Sequence, residues 1–113
     1  MDAELQEQMQ ELQLLEQQLQ QVGMHKQQLQ VEQAEVLNAT KEVSATSGDV
    51  YKIVAGIMVK SEKQVVLKEL GEKEKLYASK LKTLEQQEQM LVTQGEHTRK
   101  AFQSSVDKQK KKA

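Results

Sequence analysis

The 113-residue sequence contains no cysteine, no proline and no tryptophan, and aromatic residues make up only 3% of it. The absence of cysteine excludes a disulfide framework, a thiolate metal site and a cysteine nucleophile. The length is enough for one domain, but the scarcity of large side chains argues against a globular core. An elongated helical protein fits this composition better.

The sequence also lacks the features of a protein that enters a membrane. The sequence contains no run of about 18 apolar residues, which is the length that a helix needs to cross a bilayer. Residues 1–10 lack the basic start and the apolar stretch of a secretory signal. We therefore expect a cytoplasmic protein without a membrane partner.

Charged residues are abundant and balanced in sign. They make up 29% of the chain and leave a formal net charge of -1. Their alternation with leucine and glutamine is typical of coiled coils rather than of disordered tails. The balance does not favour nucleic-acid binding, and the short basic run at the C-terminus has no aromatic stacking partners.

The stretch from Gly48 to Lys60 differs from both flanks in composition and period. β-Branched and aromatic residues lie on both sides of Ala55 and Gly56, which supply a turn, so the pattern predicts a short β-hairpin. A lone two-stranded hairpin is marginal in water, so we expect this one to pack against another subunit. The candidate subunit-assembly residues are Val50, Tyr51, Ile53, Val54, Ile57, Met58 and Val59.

Apolar residues before the hairpin recur every seven residues in two columns, which predicts a coiled-coil helix over residues 1–46. The first column holds Leu5, Leu12 and Leu19, and the second holds Leu15, Val22, Leu29, Val36 and Val43. Gln8, Lys26, Gln33 and Thr40 interrupt the columns. Isolated polar residues of this kind weaken a seam and can fix its register.

The repeat resumes after the predicted hairpin of residues 49–60 and predicts a second helix over residues 62–106. Its columns hold Leu67, Leu81 and Phe102, and Leu70, Tyr77, Leu84 and Leu91. Ser61 and Gln64 have capping-box spacing, so this helix should begin directly after the second strand. Residues 107–113 are expected to form a frayed basic tail of a single domain.

A hairpin between two helices makes the helices antiparallel, and one register closes well around it. This register places Lys26 near enough to Glu88 to pair. Farther from the hairpin it sets Leu15 against Gly95 and Leu12 against Thr98, and we expect such layers to pack loosely and leave apolar side chains accessible. The candidate binding residues are Leu5, Met9, Leu12, Leu15, Leu91, Val92, Phe102 and Val106. On spacing alone, these residues could equally well just complete the seam.

The sequence carries no constellation that indicates catalysis. His25 and His97 are the only histidines and lie several turns apart in the predicted register, so we expect no metal site. Acidic residues alternate with lysine and glutamine, as on a solvated helix face, with no pocket to raise a carboxyl pKa. No phosphate-binding glycine loop is present. We therefore expect neither an enzyme nor a cofactor.

Three segments together resemble the β-type subunits of the prefoldin family. They are the hairpin VYKIVAGIMVK, the ELGEK segment that begins at Glu69, and the KTLEQQEQML run from Lys82 to Leu91. The Gln-rich first helix is also similar, and one hairpin where α-type subunits have two implies the β type. Val54 and Ala55 depart from the small or polar residues that family members more often have before the glycine.

The resemblance implies a mainly α fold, a long antiparallel two-helix coiled coil joined by a single β-hairpin. It further implies a hexamer of two α-type and four β-type subunits, whose hairpins join edge to edge into β-barrels. The distal ends of the coiled coils would hold non-native client proteins at the candidate binding residues and pass them to a group II chaperonin without ATP. The partners implied are an α-type subunit, other copies of this chain, clients and the chaperonin. Apart from the resemblance, the C-terminal lysines could contribute to docking on an acidic chaperonin surface.

Two other interpretations remain open at this point. The chain could be a structural coiled coil, or a filament-forming oligomer whose distal ends bind nothing. It could also bind nucleic acid through the C-terminal lysines, with an affinity that falls steeply with salt.

Overall fold

The computed structural model describes residues 3–112, and the side chains of residues 3–111. The elements in chain order are α1 (Ala3–Ala45), β1 (Val50–Val54), β2 (Ile57–Ser61) and α2 (Lys63–Lys112). This order confirms the predicted fold class, two long helices joined by one β-hairpin. Neither helix, over the described residues, has a stretch long and apolar enough to span a bilayer.

The basic C-terminal segment differs from its prediction as a frayed tail, because α2 continues through it to Lys112. Lysine is a good helix former, and positive charge complements the negative end of the helix dipole. A hydrogen bond across one helical turn, from Gln103 Nε2 to Asp107 Oδ1 at 3.2 Å, also supports the extension. Residues 1 and 2 of the predicted first helix, and residue 113 of the predicted tail, lie outside the described residues.

The hairpin turns through two residues, as the sequence predicts. β1 and β2 pair antiparallel with Val54 opposite Ile57, which leaves Ala55 and Gly56 as the turn. Their φ angles are 50° and 80°. Two positive φ values are the signature of a type I′ turn, whose twist matches that of the paired strands. Ala55 is the one non-glycine residue with positive φ in the described chain.

Burial along both helices follows the predicted columns. In α1, the column residues from Leu5 to Val43 are all buried or half-buried, and so are those of α2 from Leu67 to Ser105. The polar residues that interrupt the columns share this burial. The seven-residue repeat therefore identifies the inward face of each helix.

The chain divides into two compact units. The hairpin unit comprises residues 27–82, and the terminal unit comprises the described residues up to Lys26 and from Thr83 onward. Each unit contains one segment of α1 and one of α2.

Lys63 ties the start of α2 to the end of α1 inside the hairpin unit. Its Nζ donates to the carbonyl oxygens of Ser44 at 2.9 Å and Thr46 at 3.1 Å. The last turn of α1 has no basic residue of its own. Lys63 thus supplies the positive charge that the C-terminal carbonyls of a helix attract.

The start of α2 corrects the predicted capping box. The first helical hydrogen bond runs from the amide of Val66 to the carbonyl of Glu62 at 3.1 Å, which makes Glu62 the N-cap residue. Ser61 instead ends β2. The helix still begins directly after the strand, as predicted, because one residue is enough to change from extended to helical backbone.

Candidate functional site

The hairpin carries an uncovered apolar surface. Ile53 lies opposite Met58 in the strand register, and their side chains are 73% and 68% exposed. We call the exposed apolar residues of the two strands the hairpin surface: Tyr51, Ile53, Val54, Ile57, Met58 and Val59. By the strand register, Tyr51, Ile53 and Met58 lie on one face of the sheet, whereas Val54, Ile57 and Val59 lie on the face of Val50. Two strands alone cannot cover apolar groups on both faces, and exposed apolar surface of this extent marks an interaction site.

Val50 is the exception among the predicted assembly residues, because it is 8% exposed within the chain itself. Lys52 lies two residues along the same strand, hence on the same sheet face, and its Nζ is 3.1 Å from Glu69 Oε1 of α2. The face that carries Val50 is therefore linked to α2. The assignment of Val50 to a subunit contact is not supported by this burial.

The seam of the terminal unit contains the charged pair that the predicted register requires. Lys26 Nζ lies 3.4 Å from Glu88 Oε1, with both side chains partly buried. A second polar link joins the same helices, since Thr98 Oγ1 donates to Glu11 Oε1 at 3.1 Å. The two links show that the helices of this unit run antiparallel. From the first link to the second, the residue number falls in α1, from Lys26 to Glu11, and rises in α2, from Glu88 to Thr98.

The predicted loose packing of the terminal layers is wrong for their central side chains. Leu5, Leu15 and Thr98 are each only 5% exposed. Leu5 and Leu15 are covered by the seam, although the layer of Leu15 stays open beside Gly95. The bond from Thr98 to Glu11 satisfies the buried hydroxyl, so a polar residue in the layer does not open it.

A groove lies beside Gly95 in the terminal unit, at the layer where the register sets Leu15 against this glycine. Its volume is about 310 Å³. We call it the Gly95 groove; it is lined by Leu12, Leu15, Glu16, Leu19, Val92, Gly95, Glu96 and Arg99. A Cβ atom built on Gly95 would meet nothing within 4 Å, so the missing side chain leaves open space.

The candidate binding residues divide into groups by their surroundings. Leu12, Leu15 and Val92 line the Gly95 groove, and Leu91 lines a second groove beside Gln18 and Met90. Met9 and Val92 are the exposed members, at 39% and 37%. Leu12, Leu91, Phe102 and Val106 are half-buried, whereas Leu5 and Leu15 are covered by the seam.

Three large apolar side chains of the terminal unit were missed by the sequence reasoning. Leu14, Met24 and Met90 are more exposed than any predicted candidate of this unit, with Met90 at 71%. They lie outside the predicted columns. The sequence did contain a signal for these three exposed residues: each is apolar at a position where the seven-residue repeat expects a polar one.

No group of three or more metal-ligating side chains is placed to hold an ion anywhere in residues 3–112. The Gly95 groove, the groove beside Leu91 and the hairpin surface all present apolar groups for contact. Two helices joined by a hairpin with uncovered strands define a coiled-coil module built to associate with other chains.

A family model described as prefoldin subunit matches residues 6–109. The chain belongs to the prefoldin family of co-chaperone subunits, and its relatives are of the β type. It is 35% identical to prefoldin subunit beta of Sulfurisphaera tokodaii over 99 residues, which cover 86% of this chain and 79% of that protein. With prefoldin subunit beta of Archaeoglobus fulgidus it shares 40% identity over 60 residues, a match that spans only 52% of the relative's length.

Solved structures agree with this assignment. The crystal structure of the prefoldin beta subunit from Thermococcus strain KS-1 superposes with a TM-score of 0.86 at 31% identity, over 92% of this chain and 93% of that one. The prefoldin beta2 subunit from the same strain gives a TM-score of 0.70 at 16% identity, over 76% and 94% of the two chains, and shows the fold alone.

Proposed function

We propose that this chain is a β-type subunit of a hexameric, cytoplasmic prefoldin that holds non-native proteins and delivers them to a group II chaperonin without ATP. The observation that carries the proposal is the apolar Gly95 groove, open to solvent in a chain of this family. Holding a client is a binding equilibrium that lowers the concentration of free unfolded chain, so it requires no catalytic residue.

The hairpin surface is the proposed assembly element. Its unpaired strand edges and its exposed Ile53 and Met58 would be covered by an α-type subunit and by other copies of this chain. Val50 remains inside the chain and contributes indirectly, by holding the hairpin in place.

The terminal unit is the proposed client-binding region, with different roles for its candidate residues. Met9 and Val92 offer accessible apolar surface, together with Leu12, Leu91, Phe102 and Val106, which are half-buried. Leu5 and Leu15 support this surface from the seam. The exposed Met24 and Met90 add flexible side chains that adapt to clients of different shape.

The proposal is tested by filling the Gly95 groove. Gly95→Gln places a long polar side chain in the open space, and the hexamer should then suppress aggregation of an unfolded client less well. The matched control is Gly71→Gln in the hairpin unit, where an added Cβ also meets nothing within 4 Å. Both changes raise helix propensity by a similar amount. Thermal unfolding and the mass of the hexamer are measured for both variants first, because Gly95 lies in a column of α2 and Gly71 does not.

The expected result is weaker suppression by the Gly95 variant and unchanged suppression by the Gly71 variant, measured by light scattering at equal hexamer concentration. Full suppression by the Gly95 variant would rule out the groove as the holding site. Failure of the unmodified hexamer to suppress aggregation would overturn the proposed function itself.

A structural or filament-forming role is the second candidate, because the exposed hairpin surface would also join copies of this chain to one another. The two candidates differ in the mass of the assembly. A closed particle that forms with an α-type subunit supports prefoldin, whereas open polymers of this chain alone, with no effect on clients, support the filament.

A further inference from the structure

The second groove of the terminal unit differs from the Gly95 groove in its chemistry. Its volume is about 320 Å³. Three apolar side chains line it, Val22, Met90 and Leu91, together with four glutamines, Gln18, Gln21, Gln87 and Gln94. None of the seven carries a charge, in a chain of which 29% is charged. We call it the glutamine groove.

The amides of the glutamine groove are free to bind. Within the part of the chain that the structure describes, none of the four glutamine side chains makes a hydrogen bond or an ion pair. Each primary amide offers two N–H donors and one carbonyl acceptor. A peptide unit offers one donor and one acceptor, so the two are complementary in both directions.

The spacing of the amides suits an extended chain. Gln87 and Gln94 are separated by seven residues of α2, or about 10 Å along the helix. About three residues of extended backbone cover that distance. Gln18 and Gln21 bring two more amides to the same groove from α1.

We propose that the glutamine groove binds the extended backbone of a non-native polypeptide through these amides. The inference rests on the proposed holding function and adds how the client is recognised. A native protein has its backbone N–H and C=O groups already paired, whereas an extended unfolded segment has them free. The absence of charge in the groove matches the neutral peptide backbone.

Backbone recognition also explains how one site can serve unlike clients, because every sequence has the same main chain. The Gly95 groove, which includes Glu16, Glu96 and Arg99, is suited to side chains instead. The two grooves would act on one client segment in different ways, one through its peptide groups and the other through its apolar side chains.

The test replaces the four groove glutamines by methionine in the assembled hexamer: Gln18→Met, Gln21→Met, Gln87→Met and Gln94→Met. Methionine keeps the length and helix propensity of glutamine but removes the amide and adds apolar surface. The control variant carries Gln13→Met, Gln17→Met, Gln20→Met and Gln86→Met, at exposed positions outside the groove.

The probe is a short, neutral, fluorescein-labelled peptide of alternating leucine and serine, together with the same peptide N-methylated at alternate bonds. Binding is followed by fluorescence anisotropy. The unmodified and control hexamers should bind the N-methylated peptide about tenfold more weakly than its parent, as expected for the loss of about two hydrogen bonds. The groove variant should bind the parent about tenfold more weakly and should not distinguish the two peptides.

An unchanged or higher affinity of the groove variant for the parent peptide would overturn the inference. If side-chain contacts alone held the peptide, the added methionines would leave the affinity unchanged or raise it, and N-methylation would affect all three hexamers equally. Such a result together with normal suppression of client aggregation removes the amide mechanism and leaves the proposed function standing. An unmodified hexamer that binds neither peptide and suppresses no aggregation overturns both.

Discussion

Lys26 of α1 and Glu88 of α2 form a charged pair within the seam of the terminal unit, with Lys26 Nζ 3.4 Å from Glu88 Oε1. Both residues occupy column positions where leucine or valine would pack more closely. A polar pair in a seam stabilises one register above others, because any shift leaves both charges partly buried without a partner.

The pair predicts a measurable coupling energy between the two residues. Lys26→Met and Glu88→Met should each lower the free energy of unfolding, and the double variant should recover part of the loss. We expect a coupling of about 1 kcal/mol from a double-mutant cycle by urea denaturation, reduced by the partial exposure of the pair.

The pair of Lys52 and Glu69 is the control, with a shorter N–O distance of 3.1 Å but greater exposure of both side chains. Solvent screening should limit its coupling to about 0.5 kcal/mol or less. Equal coupling in the two pairs would contradict a specific role for burial at Lys26 and Glu88.

Gln8 is a point where the seam of the terminal unit can be stabilised. Its Oε1 atom is buried and, among the described residues, has no hydrogen-bond partner. An unsatisfied buried acceptor costs about 1–3 kcal/mol, so Gln8→Leu should raise stability by about 1 kcal/mol or more. The measurement is amide hydrogen exchange in α1, with the exposed Gln13→Leu as control. No added protection in the Gln8 variant relative to the control would contradict the prediction.

Ala55 is a point of backbone strain in the hairpin. A φ of 50° is unfavourable for alanine, whereas asparagine adopts the left-handed region readily and precedes glycine in preferred type I′ turns. Ala55→Asn should stabilise the hairpin by about 0.5–1 kcal/mol, and Ala55→Val should destabilise it by at least as much. Hydrogen exchange of the strand amides tests the order asparagine, alanine, valine, and any other order would remove the strain argument.

We predict that a charge placed on the hairpin surface weakens assembly. Ile53→Asp or Met58→Asp should dissociate the proposed hexamer, because a carboxylate in an interface that covers these residues would lose its hydration without gaining a partner. Leu76→Asp is the control, since it places the same group at an exposed apolar position of α2 in the same unit, outside the hairpin. Light scattering after size-exclusion chromatography gives the mass, and a hexameric Ile53 variant would refute hairpin-mediated assembly.

The element order, the inward face of each helix and the pairing of Lys26 with Glu88 were all predictable from the sequence. Each depends on a signal that lies along the chain: the seven-residue repeat, the β-branched stretch around Ala55 and Gly56, and the reversal that the turn imposes. The resemblance to prefoldin β-type subunits was also detectable from the sequence. It rests on the hairpin and on the ELGEK and KTLEQQEQML segments, which follow the hairpin at the distances along the chain that the family has.

The exposure of individual side chains was decided only by the tertiary structure. Leu12 and Leu15 both occupy columns of α1, yet Leu15 is buried and Leu12 only half-buried, because coverage also depends on how the opposite helix packs at each layer. The N-cap at Glu62 was likewise not predictable from the sequence. Ser61 has the spacing of a capping box, but it belongs to β2. The sequence by itself determined the elements and their inward faces, since these follow from local periodicity. Only packing between α1 and α2 decided where grooves and free amides remain.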